Sequence, residues 1–553
     1  MKPVRVDAVP FEDLGPKGAY WRAAFSQPSP LHSLLPVVPP HSIPFPYHRA
    51  EFWRERRSER KALVELLSES SPPCSFPQKR ALTRLADPKA LAVATGQQPG
   101  ALGGPLFTFA KVLTTVILAE RLEKEWSVPV IPILWDGGDD SDLEEIDDFA
   151  WPGPEGATPR HSFGLSEARE GTPGHSVRLS SSWWDSLRDF VGAHHPPTEF
   201  RERTLSFLES LWRESQTWAD FFDRFWTRVF EHHPLLVVRP WEPGLRRAAV
   251  PILEREVSEP EATLGELRQV SEELTARGFH PHVHKREGVC SFFLHEGGLR
   301  RPLTWESGRF RIAGAEESLS REALVSHLRN QPEDFSPNAL LRPIVQDFIL
   351  PTAVSVLGPS ELAYHAQIGP MYARHNLPRP TVTPRFSMTL AADHQASRLE
   401  EMRISWSDLR RDTRELAKVR STSRTLEKAL RSLDDLAGKI AGTEESLRNL
   451  FRADRPGLVD PTEAQLGRAA KVIEQLRDLY RREEARRDST LMARLSDLKG
   501  QFLPDGELQE RAFGLVPFMC RFGLDWIEPL IEQAATWKGD THMVVVIGAE
   551  GHD

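Results

Sequence analysis

The stretch Thr95-Gly-Gln-Gln-Pro-Gly-Ala-Leu-Gly-Gly-Pro-Leu-Phe-Thr-Phe-Ala-Lys111 decides the fold, because an apolar run ends there in a glycine-rich turn and a helical pattern begins. Upstream, Ala90-Leu-Ala-Val-Ala-Thr95 reads as a strand; downstream, a helix is predicted from about Pro105 to Glu123. A second apolar strand, Val128-Pro-Val-Ile-Pro-Ile-Leu-Trp135, then runs straight into Asp136-Gly-Gly-Asp-Asp-Ser-Asp142. The pattern is a βαβ unit with loops at the carboxyl ends of both strands, where open α/β sheets hold ligands.

Gly96, Gly100, Gly103 and Gly104 allow a sharp turn and a close approach of backbone to ligand, and the free N–H groups of a helix start favour an anion. Gln97 and Gln98 add side-chain amides. The spacing matches neither the dinucleotide fingerprint nor the P-loop, so two readings stand, a structural turn or a binding loop. In the second loop Asp136, Asp139, Asp140 and Asp142 crowd one strand end. Such crowding raises at least one pKa or attracts a cation, a substrate ammonium or Mg²⁺, and it suits a base that deprotonates an amine. The alternative is a solvated loop that caps the next helix through Asp142.

At 553 residues the chain exceeds one simple core, and two or three units are expected. Its net charge of −9 comes from acids and bases mixed along the chain, which argues against a dedicated nucleic-acid surface. Cys74, Cys290 and Cys520 are too few and too scattered for a disulfide framework or a Cys-x-x-Cys pair, so a reducing cytoplasm is expected. The N-terminus lacks an apolar leader core and no run is long enough to span a bilayer, so neither secretion nor membrane association is expected.

Proline is dense between Pro28 and Pro46 and again at Pro72, Pro73 and Pro77, suggesting an N-terminal arm over the core with a charged helix at about Arg49 to Ser68. The aromatic-rich region of about Ser181 to His232 reads as helical core, and Leu235 to Arg239 as a third strand. After a helix at about Gly244 to Glu256, Gly288–Leu294 and Arg309–Ile312 with Gly297-Gly298 between them read as a small β meander. The α/β pattern resumes with a helix near Leu341 to Phe348, a strand at Thr352 to Leu357, a helix at Ser360 to His375 and a strand at Pro380 to Arg385, so a parallel α/β fold is predicted. Beyond His394 the seams Leu426, Leu430, Leu433, Ala437, Ile440, Leu447 and Leu466, Ala469, Ile473, Leu476, Tyr480 flank the turn Arg455–Pro461 and predict an antiparallel coiled-coil hairpin. The expected organisation is a core over 1–394, with a helical insertion over about 151–232 and a mixed α/β one over 258–335, a hairpin over 395–502, and a segment over 503–553 packing back on the core.

Several composite motifs resemble one family. Gly96-Gln-Gln-Pro-Gly100, Gly104-Pro-Leu-Phe-Thr108 with Lys111, Val128-Pro-Val-Ile-Pro132, the acidic loop ending in Asp142-Leu-Glu-Glu-Ile146, Phe335-Ser-Pro-Asn-Ala-Leu-Leu-Arg-Pro-Ile-Val-Gln-Asp347, Gly358-Pro-Ser-Glu-Leu-Ala-Tyr364, Ala366-Gln367 and Pro384-Arg385 look like the bacillithiol synthase family of cysteine ligases. The resemblance covers nearly the whole chain in the family's order. It implies a Rossmann-like core with inserted connective segments and a coiled coil, and a ligase that joins cysteine to the amine of glucosaminyl malate. It also suggests that ATP or another nucleotide, with Mg²⁺, activates the cysteine carboxylate. The family pattern has Glu-Asp-His-Asp in the acidic loop; here the run is Asp139-Asp-Ser-Asp142, with Ser141 in the histidine's place. Two alternatives follow from that departure: a ligase for a different amine acceptor, or a noncatalytic homologue whose coiled coil serves as a scaffold.

The roles expected on this reading are anion holding, amine orientation and proton movement. The turn from Gly96 to Gly104 is the preferred anion holder, with Lys111 either adding charge or standing as a surface lysine. Arg342 with Gln346 and Asp347 on one helix, and Arg385 after a strand, are candidate carboxylate clamps or else structural ion pairs. Glu361, Tyr364, His365 and Gln367 follow Gly358-Pro359 and could orient sugar hydroxyls, with His365 catalytic or simply a hydrogen-bonded histidine. His280-Pro-His-Val-His284 has zinc-like alternation but no supporting ligand, so an ordinary strand edge is expected and no metal is assigned. Cysteine and glucosaminyl malate are the expected small-molecule partners, with a homodimer through the coiled coil as a further expectation.

Overall fold

A computed structural model of the chain describes residues 1–14, 34–35, 37–70, 75–277, 288–315, 318–416 and 424–548. Cys74 and the His280, His282 and His284 run lie outside the described residues. The chain divides into two units, residues 1–152, 158–393 and 507–553 in one, and 153–157 with 394–506 in the other.

In the first unit the strands relevant to the site are β1 (Lys2–Pro10), β2 (Leu91–Gln97), β3 (Val130–Asp136), β4 (Leu236–Val238), β5 (Val289–Glu296), β6 (Leu299–Glu306), β7 (Arg309–Ile312), β8 (Phe335–Pro337), β9 (Thr352–Leu357), β10 (Thr381–Pro384), β11 (Met388–Ala392) and β12 (Thr541–Gly548). The helices that position it are α1 (Leu106–Trp126), α2 (Pro243–Ser258), α3 (Arg342–Ile349) and α4 (Pro359–His365). Five strands form a parallel sheet in the order β10-β9-β2-β3-β4. Chain order reverses between β2 and β9, which is the Rossmann arrangement and its switch point. Every residue of β3 and β9 is buried, and so are six of the seven of β2, because a parallel sheet is covered on both faces. The apolar runs that read as strands in the sequence have that origin.

The aromatic region between β3 and β4 folds into helices at Ser181–His194, Glu199–Glu214 and Trp218–Val229, whose Trp184, Trp212, Phe222, Phe225 and Trp226 pack with α1 and the C-terminal segment in one core. The expected meander is larger than its sequence signal. Gly297-Gly298 is a tight turn between β5 and β6, and β6, missed because its Arg300, Arg301 and Pro302 break the apolar pattern, joins β5 to β7. β8 and Ser318–Leu319 complete five antiparallel strands. The expected helix over 360–375 is two, α4 and Gly369–Arg374, since Gly369-Pro370 starts a new helix. The charged helix near Arg49 likewise divides at Arg56 into Tyr47–Glu55 and Arg57–Ser70. The C-terminal β12 pairs in parallel with β11 and antiparallel with β1.

The second unit holds α5 (Arg424–Asp454) and α6 (Val459–Phe502), joined through Pro456–Leu458. Ion pairs of Arg448 with Glu463 beside the turn and of Arg477 with Asp434 farther from it fix an antiparallel coiled coil. Ile473, Leu495, Leu498 and Phe502 are buried, whereas Leu476 of the expected seam is exposed.

Candidate functional site

The carboxyl edge of the parallel sheet frames a cavity of about 720 Å³. Parallel register sets Gln97 opposite Asp136 and Leu357 opposite Pro384, so the loops after β2, β3, β9 and β10 leave the sheet at one edge. The site therefore sits at the switch point, where the chain diverges and leaves a crevice between loops.

One wall is cationic. Lys111, expected as an anion-binding or surface lysine, is buried on α1; its Nζ donates to the Gly96 carbonyl at 2.9 Å and to Gln97 Oε1 at 3.0 Å, and pairs with Glu361 Oε2 at 2.7 Å. Burial pushes its pKa down, joined by Arg385 and Arg342 and opposed by Glu361. Glu361 also accepts the Gly358 N–H at 2.8 Å, so this lysine ties the end of β2 to the start of α4. Arg385 is held by both oxygens of Glu510, at 2.8 and 3.0 Å. Arg342 is different. Nη1 donates to Gln346 Oε1 at 2.9 Å and Nη2 to the Tyr364 hydroxyl at 3.3 Å, and among the described residues it has no ion-pair partner. Burial pushes the Tyr364 phenol up to about 12, against the pull of Arg342, so it stays protonated and neutral. A half-buried guanidinium whose hydrogen-bond partners are neutral suits an anion.

The opposite wall is acidic in sequence but largely neutralised in space. Burial pushes Asp139 up, yet Arg246, with His175, His295 and Arg300, outweighs it and holds the carboxyl below its usual range. Asp140 Oδ2 accepts from the Gln98 amide at 2.7 Å, and Oδ1 from Ser141 N–H at 2.8 Å, Asp142 N–H at 3.3 Å and Arg300 Nη1 at 3.3 Å. Asp136 is fully buried beside Asp223, and burial and that second carboxyl push it well above the usual range. Were both ionised, neither Asp136 oxygen would have a donor at ordinary distance among the described residues; a proton between the two resolves this. Arg239 steadies the pair, donating to Asp223 at 2.5 Å and Asp220 at 2.7 Å. His175, stacked on Trp241, and His295, bonded to Ser336, are pushed by burial to about 4 and about 3, and so stand neutral.

The cavity thus brings together Gly96, Gln97, Gln98, Lys111, Asp136, Asp139, Asp140, Arg342, Glu361, Tyr364 and Arg385. Gly103, Gly104, Asp142, Gln346, Asp347, His365 and Gln367 do not line it. The second half of the glycine turn is closed to a ligand: Gly103, at φ +90°, lies against the Phe225 ring, and the first helical N–H, that of Leu106, donates to the Phe513 carbonyl at 2.7 Å. The turn binds through its Gly96–Gln98 end or not at all. Gln346 supports Arg342 from behind. Asp347 is fully buried and accepts the Tyr372 hydroxyl at 2.5 Å, Gln367 donates to Ser271 at 3.1 Å, and Asp142 is exposed. His365 is buried, with neither ring nitrogen hydrogen-bonded among the described residues and its pKa pushed far down by burial, which suits a neutral core ring rather than a proton carrier.

Arg246, Arg300, Asp223, Glu145 and Glu510 are additional groups of the site. The rule that singled out the loops after β2 and β3 applies equally to the loop after β4, whose helix α2 carries Arg246 in its first turn. Arg300 was within reach of the Gly297-Gly298 turn signal, whereas Asp223 lies in an amphipathic helix with no local mark.

Two family models account for most of the chain: "Bacillithiol biosynthesis BshC, N-terminal Rossmann-like domain" matches residues 39–386 and "Bacillithiol biosynthesis BshC, C-terminal coiled-coil domain" matches 388–547. The chain belongs to the BshC family. Relatives named "Putative cysteine ligase BshC" include those of Chlorobaculum tepidum, 28% identical over 90% of this chain and 91% of the relative, and of Salinibacter ruber, 27% identical over 89% of each. That of Bacillus cereus is 25% identical over 89% of this chain and 91% of the relative. BshC proteins thus share both the Rossmann-like unit and the coiled coil described above, and no described helix is long and apolar enough to cross a membrane.

Proposed function

We propose that the chain is a ligase that forms the amide between the carboxyl of L-cysteine and the amine of glucosaminyl malate, the last step of bacillithiol synthesis. The observation that carries this reading is Arg342, a half-buried cation with no ion-pair partner among the described residues, on the wall of a cavity that also holds acceptors for a polar, amine-bearing substrate. A malate carboxylate satisfies it in bidentate fashion. The names borne by the relatives support the cysteine donor.

In the reaction the amine nitrogen attacks the activated acyl carbon, a proton leaves nitrogen, and the leaving group departs with its electron pair. A free carboxylate is too poor an electrophile for this, so ATP or another nucleotide belongs to the reading as co-substrate. With Arg342 assigned to the malate, the Gly96–Gln98 end of the turn, and not its closed half, is what the chain offers the anionic part of such a molecule. Among the described residues no three His, Cys, Asp or Glu side chains are grouped to hold a metal ion, so Mg²⁺ enters as the nucleotide's counter-ion. Self-association through the coiled coil is part of the same proposal, because Leu436 and Leu450 on α5, and Val472 and Leu479 on α6, are exposed at heptad multiples. Light scattering of the full chain checks it, a dimer being expected.

The test is mass spectrometry of the protein with cysteine and glucosaminyl malate, with and without ATP and Mg²⁺. The condensed thiol should form only with the nucleotide. Equal rates on glucosamine lacking malate would remove the named acceptor and leave a ligase for another amine; no product with any amine would favour the scaffold.

A further inference from the structure

Within the reading just proposed, and resting on it, we infer that Gln97 and Gln98 hold the two sides of the forming amide, Gln97 donating to the acyl oxygen and Gln98 accepting from the attacking nitrogen. Both are half-buried and line the cavity at the open end of the glycine turn. Their polarity is set from behind. Lys111 is buried and spends its three N–H groups on the Gly96 carbonyl at 2.9 Å, Gln97 Oε1 at 3.0 Å and Glu361 Oε2 at 2.7 Å. An ammonium only donates, so Gln97 has to turn its oxygen toward Lys111, which leaves its NH2 as the end without a partner among the described residues. Gln98 is held the other way round. Its Nε2 donates to Asp140 Oδ2 at 2.7 Å and to Glu145 Oε2 at 2.9 Å, two carboxylates that only accept, so Oε1 is its unpartnered end there.

Consecutive amides thus offer the cavity one donor and one acceptor. A carboxylate uses only the first, and an ammonium only the second. A group that uses both presents an acceptor oxygen beside an N–H, which is what the reacting centre becomes as the amine adds to the acyl carbon. In that step the nitrogen lone pair forms the C–N bond and the carbonyl pair moves onto oxygen, where the Gln97 NH2 meets the growing negative charge. The pair then returns and expels the phosphate of the nucleotide-activated carboxyl with its bonding electrons. One nitrogen proton passes to an oxygen of the departing phosphate, and the N–H that remains donates to Gln98.

The experiment uses the full chain and two variants, Gln97→Glu and Gln98→Met. Gln97→Glu keeps the oxygen that faces Lys111 and replaces the donor by an acceptor; Gln98→Met keeps the volume and removes the acceptor. Thermal stabilisation by glucosaminyl malate is compared with that by its N-acetylated form, which carries a finished amide on the same nitrogen. Malate is common to both, so its binding does not affect their order. The wild type should be stabilised more by the acetylated form. Gln97→Glu should reverse that order, since a carboxylate repels the carbonyl oxygen and attracts the ammonium, and should lower kcat about 100- to 1,000-fold, the size of one lost oxyanion donor. Its melting temperature without ligand should be no lower than that of the wild type. Gln98→Met should weaken stabilisation by both forms and raise KM for the acceptor several-fold.

A wild type that prefers the free amine, or a Gln97→Glu protein that keeps the wild-type order, overturns the assignment. So does a rise confined to KM for ATP in Gln97→Glu, which would place the pair on the nucleotide. If the wild type prefers the acetylated form yet makes no product with cysteine, ATP and Mg²⁺, the proposed reaction falls and the two glutamines stand as an amide-binding pair. If neither glycoside stabilises the wild type, both fall.

Discussion

On the wall built from β3 and its loop, Asp139 is answered by Arg246 and Asp140 by Arg300, Gln98 and two amides, whereas on the wall built from β2, α3 and α4 Arg342 has only a glutamine and a phenol. By residue count the first wall is the charged one. By partner count it is the second that waits for a ligand. Charge density in a sequence therefore locates a site without saying which of its charges are available, since a paired buried charge contributes to architecture and an unpaired one is tolerated only where something else profits.

That contrast is broken most directly within the cationic wall itself. Arg385 lines the cavity as Arg342 does, but it is spent on Glu510, which also accepts from Ser387 Oγ at 3.0 Å and Met388 N–H at 2.8 Å. Arg385→Met strands a buried carboxylate and is expected to cost about 3–5 kcal/mol, read as a lower denaturant midpoint at unchanged m. Arg342→Met strands no charge and leaves only the buried Gln346 side-chain oxygen without its donor. Its stability should fall by about 1 kcal/mol, well short of Arg385→Met, while ligand-dependent turnover falls about 100-fold. Equal destabilisation by the two variants would mean that Arg342 is structural after all.

The same distinction explains what the sequence made legible. The strands of the parallel sheet were readable because burial on both faces demands uninterrupted apolar runs, and the coiled coil because a seam repeats. The edge where the site lies followed from the βαβ rule. Pairing was not readable, because it joins residues far apart in the chain: Arg246 to Asp139, Arg300 to Asp140, Glu510 to Arg385. The glycine turn misled for a related reason. Nothing local reveals that Phe513, about four hundred residues on, covers the helix start. β1, with its polar alternation, also left no mark, because its pairing with β12 comes from the other end of the chain.

A smaller effect separates the two walls by pH. His542, on β12 behind Arg385 and Glu510, lies between Ser387 Oγ and Thr389 Oγ1, each at 2.8 Å, and burial pushes it to about 4 from 6.5, with Glu510 opposing and Arg385 assisting. The unfolded chain therefore takes up a proton below pH 6.5 that the folded chain refuses until about pH 4. This contribution to stability is intact above pH 6.5 and declines by about 1.4 kcal/mol per unit as pH falls through that window. The slope of melting temperature against pH should flatten there in His542→Gln, and an unchanged slope would assign the acid sensitivity to other groups.

The smallest effect is expected at Gly96, and it tests whether Arg342 must stand where it does. An alanine Cβ there would lie 2.9 Å from Arg342 Nη1 and 3.2 Å from Cζ, a contact relieved by moving the far end of a flexible side chain. Gly96 is extended, so the backbone accepts alanine, and stability should change by less than about 1 kcal/mol. The guanidinium, however, has to leave the position fixed by Gln346 and Tyr364, so KM for the ligand it binds should rise several-fold with kcat held. Gly103→Ala is the reference on the closed half of the turn: there φ is +90° and the Cβ would sit 2.5 Å from the Phe225 ring, so stability falls by about 1–3 kcal/mol while KM in the remaining folded protein stays put. A KM shift in Gly103→Ala but not in Gly96→Ala would reverse the assignment of which half of the turn meets the substrate.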